Sequence, residues 1–130
     1  MQRSLRVLIV LLIVSAAVYF YLSGTRRHKR DKEQYYQTQL CNDLGGVMEQ
    51  RLLDRTRVDC LTDTYAIEVD FARKWAESAG QSLYYALMTG KKPAVGLIIR
   101  DSAKDERRMK RLEKLGERYH IKIFKIKRGA

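Results

Sequence analysis

Residues 57–85 read RVDCLTDTYAIEVDFARKWAESAGQSLYY, and the fold turns on this stretch. Arg57 to Leu61 and Tyr65 to Asp70 have strand character, and Thr62-Asp63-Thr64 between them is short enough for a tight turn. Alternation in the second strand sends Ile67, Val69 and Phe71 one way and Glu68 and Asp70 the other. From Phe71 to Thr89 the period becomes helical. Phe71, Trp75, Ala79, Leu83 and Ala86 recur every three or four residues and predict a buried stripe. Lys74, Ser78, Gln81 and Tyr85 form a second, polar stripe on the same helix.

Working outward, Lys32 to Leu44 predicts a first helix, stopped by Gly45-Gly46. Val47 to Leu53 follows as a strand with Val47, Glu49, Arg51 and Leu53 on one side, and Asp54-Arg55-Thr56 turns the chain. Beyond Gly90, a Lys91-Lys92-Pro93 loop leads to Ala94–Ile99, an apolar run of the kind that is covered on both faces. Lys104 to Tyr119 is a charged amphipathic helix with Met109, Leu112, Leu115 and Tyr119 facing inward, and His120 to Lys127 is a last strand. The expected class is α/β: a mixed sheet flanked by helices, in the order αβββαβαβ, preceded by one N-terminal hydrophobic helix.

Only one modest domain fits in 130 residues. One Pro, 8 Gly and 2 Cys exclude collagen-like, disulfide-dense and low-complexity chains, and 45% apolar content argues against bulk disorder. The formal charge is +11. Residues 1–34 hold seven basic and two acidic side chains, a net +5, so both parts of the chain suit polyanions such as nucleic acid or anionic lipid.

Val7 to Leu22 reads VLIVLLIVSAAVYFYL, within an uncharged stretch from Arg6 to Arg26. A single transmembrane anchor is the first expectation, with Tyr19 and Tyr21 at one interface. A secretory signal peptide cleaved near Val14-Ser15-Ala16 and a buried helix are the alternatives. The organisation expected is 1–24 anchor or signal, 25–34 basic linker and 35–130 soluble domain, held at a bacterial inner membrane or exported. Orientation signals conflict. Arg26, Arg27, Lys29, Arg30 and Lys32 favour a cytoplasmic domain, whereas Cys41 and Cys60 point the other way, since in an exported domain they could form a disulfide; otherwise they are small buried apolar residues.

Asp59 and Glu68, nine apart across a tight turn, fall on neighbouring strands and can face one divalent cation. Such oxygen ligands suit Mg²⁺ or Mn²⁺. Lys74, one helical turn after Asp70, can stabilise charge developing on a phosphate, and Gln81 and Tyr85 can orient the acids. Arg57, Arg73, Lys91 and Lys92 are candidate nucleic-acid contacts, and Arg107, Arg108, Lys110, Arg111 and Lys114 are either a phosphate track or a solvated face. His28, His120 and the two cysteines lack zinc spacing, and no Gly-rich phosphate loop or Ser/His/Asp set is present.

Asp59, then Ile67-Glu68-Val69-Asp70, then Gln81-Ser82-Leu83-Tyr84-Tyr85 together resemble the PD-(D/E)xK nuclease superfamily, over about Tyr35 to the C-terminus. The Gln-x-x-x-Tyr element is similar to that of the RecB and lambda-exonuclease branch. The resemblance implies a restriction-endonuclease-like fold and Mg²⁺-dependent hydrolysis of DNA. Asp59 matches the first metal-binding acid, Glu68 the acid of the (D/E)xK motif, and Val69 offers a backbone carbonyl. Glu49 is a looser match to an additional upstream acid. Asp70 stands where the motif has Lys, and Lys74 is the substitute on the neighbouring helix. A protein of this fold that binds without cutting is the alternative.

Overall fold

In a computed structural model, which describes residues 2–128 and the side chains of 7–22, 24 and 33–128, the elements follow one another as α1 (Gln2–Asp43), β1 (Val47–Arg51), β2 (Arg57–Leu61), β3 (Tyr65–Phe71), a 3₁₀ turn (Ala72–Lys74), α2 (Trp75–Thr89), β4 (Lys92–Ile99), α3 (Ala103–Tyr119) and β5 (Lys122–Lys127). The five strands lie in the sheet in chain order, with β1–β2 and β2–β3 antiparallel and β3–β4 and β4–β5 parallel. The expected α/β class with a mixed sheet is therefore observed.

The N-terminal organisation differs from the expected one. The hydrophobic run and the first helix of the domain are parts of one continuous helix. Between 23 and 34 the sequence has no Pro and five Arg or Lys, good helix formers, and the helix runs on to Asp43. Gly45 takes a left-handed φ of +63° and ends it, and the Gly46 N–H donates to the Cys41 carbonyl at 2.9 Å. The side chains of Arg3, Arg6 and residues 25–32 lie outside the described residues. By internal packing the chain divides into two units, Met1–Lys32 and Glu33–Ala130. In the first, the large apolar side chains from Val7 to Leu22 are exposed. Among the described residues no helix is long and apolar enough to cross a membrane.

In the second unit β4 is the centre of the core. Ala94, Val95, Leu97, Ile98 and Ile99 are buried, as their apolar run predicts for a strand covered on both faces. On one face Val95, Leu97 and Ile99 meet Ala72, Ala79, Met109 and Leu112 of the 3₁₀ turn, α2 and α3. On the other, Ala94 and Ile98 join Ile67 and Val69 of β3, Cys60 of β2 and Tyr36, Leu40 and Cys41 of α1. Cys41 and Cys60 form a disulfide that ties α1 to β2. A Cβ on Gly46 would come within 2.5 Å of the Cys60 sulfur and 2.9 Å of the Cys41 sulfur, so only glycine fits beside the bond.

Three expected details shift. β1 stops at Arg51, because the Leu52 N–H turns to the Thr56 carbonyl and the Asp54 carboxylate accepts from the Thr56 N–H. Lys92 and Pro93 belong to β4 rather than to a loop, since Lys92 N–H donates to the Thr64 carbonyl. On α2 the buried residues are Ser78, Ala79, Ser82 and Tyr85, while Leu83 is exposed. The expected stripe is rotated because the sheet surface beneath α2 carries Ala66, Glu68 and Asp70 of β3, against which small and polar side chains fit better than leucine. On α3, Met109 and Leu112 are buried as expected and Tyr119 is exposed.

Candidate functional site

The site is built where β2 leaves β3. The two strands pair regularly only at Cys60 with Ile67 and Leu61 with Ala66. At Asp59 the ladder stops, and Asp59 Oδ2 accepts the Val69 N–H at 2.8 Å, taking the place of a strand carbonyl. The neighbours of Asp59 pack on opposite sides: Val58 with Ala66 and Tyr85, Cys60 with Cys41 and Ile67. In a regular strand these residues would share a face, so β2 turns over at Asp59. Across from it in β1, Glu49 holds a left-handed φ of +53°, a costly conformation for a non-glycine residue.

Glu68 and Asp70 project together from β3 and are 7% and 1% exposed. The Glu68 carboxyl hydrogen-bonds to Asp59. Burial, with the charges of Asp59, Asp70 and Glu33, pushes Glu68 up to about 9. Asp59 rises to about 6 through burial and the charges of Glu49 and Asp70, against the opposing pull of its Val69 N–H bond. Lys74 reaches back from the 3₁₀ turn and sets its Nζ 2.6 Å from Asp70 Oδ2. Burial lowers the Lys74 ammonium, but the hydrogen bond and charge of Asp70 outweigh it and the net shift is upward. Asp70 Oδ1 accepts the Phe71 N–H at 2.7 Å. Asp70 thus holds the Lys74 amine at the cluster.

Two residues of α1 complete the cluster, and sequence reasoning missed both. Glu33 hydrogen-bonds to Asp70 and is raised to about 7, by burial first and then by Asp70. Gln37 is buried, and its Nε2 donates to Glu49 Oε1 and to the Asp59 carbonyl, each at 2.9 Å. Glu33 sits at the end of the run assigned to a basic linker, which hid it. The available signal was the spacing of Glu33, Gln37 and Cys41, each one turn apart on one side of α1.

The other expected residues divide into near and far. Tyr85 is buried against Val58 and Ala66, and burial followed by the charges of Glu68 and Asp59 raises its phenol. Gln81 is half-buried one turn earlier. Glu49 is engaged on both oxygens, by Gln37 and by Arg57 at 2.8 Å. Arg57 opens β2 and Arg73 is exposed just beyond β3, so both stand at the acid end of the sheet. Lys91 and Lys92 stand at the opposite end. Lys92 pairs with Tyr65 at the start of β3, about five residues or ~17 Å of strand from Asp70. Lys91 Nζ donates to the Asp63 carbonyl at 2.7 Å.

Among the described residues no group of three or more His, Cys, Asp or Glu is arranged to hold a metal ion. The donors fit a hard cation in a smaller set: Glu68 is buried and Asp59 half-buried, and both are acceptor-rich and mutually repelling once ionised, which a divalent ion with retained waters would relieve. No family model, no curated protein and no solved structure matches this chain.

Proposed function

We propose that Glu33–Ala130 is a metal-dependent DNA phosphodiesterase of the PD-(D/E)xK type, tethered by its N-terminal helix. The observation that carries this reading is the convergence of Asp59, Glu68 and Asp70 at the β2–β3 break, with the Lys74 amine 2.6 Å from Asp70. Asp59 and Glu68 would hold Mg²⁺ or Mn²⁺. That ion supplies an acidified water and positive charge for the phosphate oxygens. Lys74 presents its amine beside the acids, where negative charge grows during attack on phosphorus. Asp70 and Glu33 hold that amine at the site. Tyr85, buried beside the acids, would shield them from bulk water, with half-buried Gln81 one helical turn before it on α2.

The exposed apolar run Val7–Leu22 supports membrane attachment. The Cys41–Cys60 bond supports an oxidising compartment, and with it an extracytoplasmic domain, against the positive-inside bias. Full-length protein in neutral detergent should cleave plasmid and linear DNA with Mg²⁺ or Mn²⁺, and Asp59→Ala should abolish it. Equal cleavage by both proteins removes the assignment. A second reading, a nuclease-fold module that binds DNA without hydrolysis, is favoured by Asp70 standing where the resembled motif has Lys. Salt-sensitive DNA binding without metal uptake would select it.

A further inference from the structure

We infer that α3 carries a phosphate-backbone track for nucleic acid beside the acid cluster. Lys104, Arg107, Arg111, Lys114 and Arg118 recur at helical spacing and are all exposed. At 3.6 residues per turn they fall within an arc of about 80° and run for about 21 Å along the helix. The acids of the same helix are segregated from them. Glu106, Glu113 and Glu117 lie on the other flank, where Glu106 pairs with Lys125 of β5 at 3.1 Å. Asp105 is buried and neutralises Arg108 at 2.8 Å. The stripe is therefore a row of cations without interleaved carboxylates.

Its place in the fold selects the partner. The Arg111 guanidinium lies 6.0 Å from the centre of the Trp75 ring, and Trp75 directly follows Lys74. Met109 and Leu112 pack with Ala72 of the 3₁₀ turn, which fixes α3 against the segment that delivers Lys74. A polyanion lying along the stripe would thus pass next to the Lys74–Asp70 pair. A row of arginines and lysines matches phosphates at many points and reads no sequence. This inference deepens the nuclease reading and rests on it for the identity of the polyanion.

The test is DNA binding without cleavage. The full chain in neutral phosphatidylcholine nanodiscs is titrated with a labelled DNA duplex in EDTA at several salt concentrations. Each lost phosphate contact lowers the slope of log K against log salt by about 0.9. The triple variant R107Q/K114Q/R118Q should lower it by about 2.7, which is about 40-fold less affinity lost between 50 and 200 mM salt. The double variant K122Q/K125Q on β5 should leave the slope within a unit of wild type. An unchanged slope in the triple variant, or equal loss per charge in both variants, overturns the track. So does a triple variant that keeps its DNA slope but loses co-sedimentation with phosphatidylglycerol vesicles, which would assign the stripe to a lipid surface. The outcome is independent of hydrolysis: a lowered slope with no cleavage keeps the track and removes the enzyme, and cleavage with an unchanged slope does the reverse.

Discussion

β4 and the β2–β3 junction lie one strand apart and are built on opposite principles. β4 pairs without interruption on both sides, from Lys92 to Ile98 with β3 and from Ala94 to Ile99 with β5, and six successive residues are buried without a charge. β2 keeps only two regular pairs with β3 before it turns over at Asp59. There the buried side chains are carboxylates that bond to one another, to a single amine and to strand N–H groups. The first region lowers the free energy of the fold. The second raises it by burying like charges, which is how a site with perturbed acids is expected to look.

The largest effect on stability should come from breaking the regular region. Leu97 is fully buried in β4, and Leu97→Ala should cost about 2–5 kcal/mol in denaturant unfolding. Next comes the disulfide, which closes a loop of 19 residues between α1 and β2. Cys60→Ser, or reduction, should cost about 3 kcal/mol by the chain-entropy account. It should also weaken activity, because Cys60 adjoins Asp59 and Cys41 lies one turn from Gln37. Unaltered stability under reductant would show that the two elements hold together without the bond.

A smaller effect concerns pH and the irregular region alone. Glu68 is raised from 4.5 to about 9, with Glu33 at about 7 and Asp59 at about 6. Between the unfolded and folded values the native chain holds protons that the unfolded chain has released. Stability of the metal-free protein should therefore fall as pH rises from about 4.5 to about 9, most steeply between about 5 and 7, where the native chain holds the most extra protons. The thermal midpoint at pH 8.5 should lie below that at pH 6, and Glu68→Gln should narrow the gap. A midpoint that climbs with pH would mean the acids are not buried as a cluster.

The regular region was legible in the sequence and the irregular one only in part. AVGLII from Ala94 to Ile99 could be little other than a doubly covered strand, and the turn residues fixed β2 and β3 to the residue at one end or both. The pairing of Asp59 with Glu68 also followed from spacing. The break in β2 did not, because it depends on a side chain capping a backbone N–H of another strand. The face of α2 was misjudged at Leu83 for a related reason: periodicity finds an apolar stripe, but here the helix lies over a polar patch of sheet. Glu33 and Gln37 were hidden by the continuity of α1, since a change in composition looked like the end of an element and was not.

Asp59→Asn tests the contrast most directly, since it keeps the shape of the side chain and one acceptor for the Val69 N–H while removing the charge. Cleavage of DNA in Mn²⁺ and the thermal midpoint should be measured on the same preparation of full-length protein. Loss of Mn²⁺-dependent cleavage with an equal or higher midpoint at pH 8 is the predicted result. Retained cleavage with a lower midpoint would mean that Asp59 serves only to hold β2 against β3, and would contradict the account.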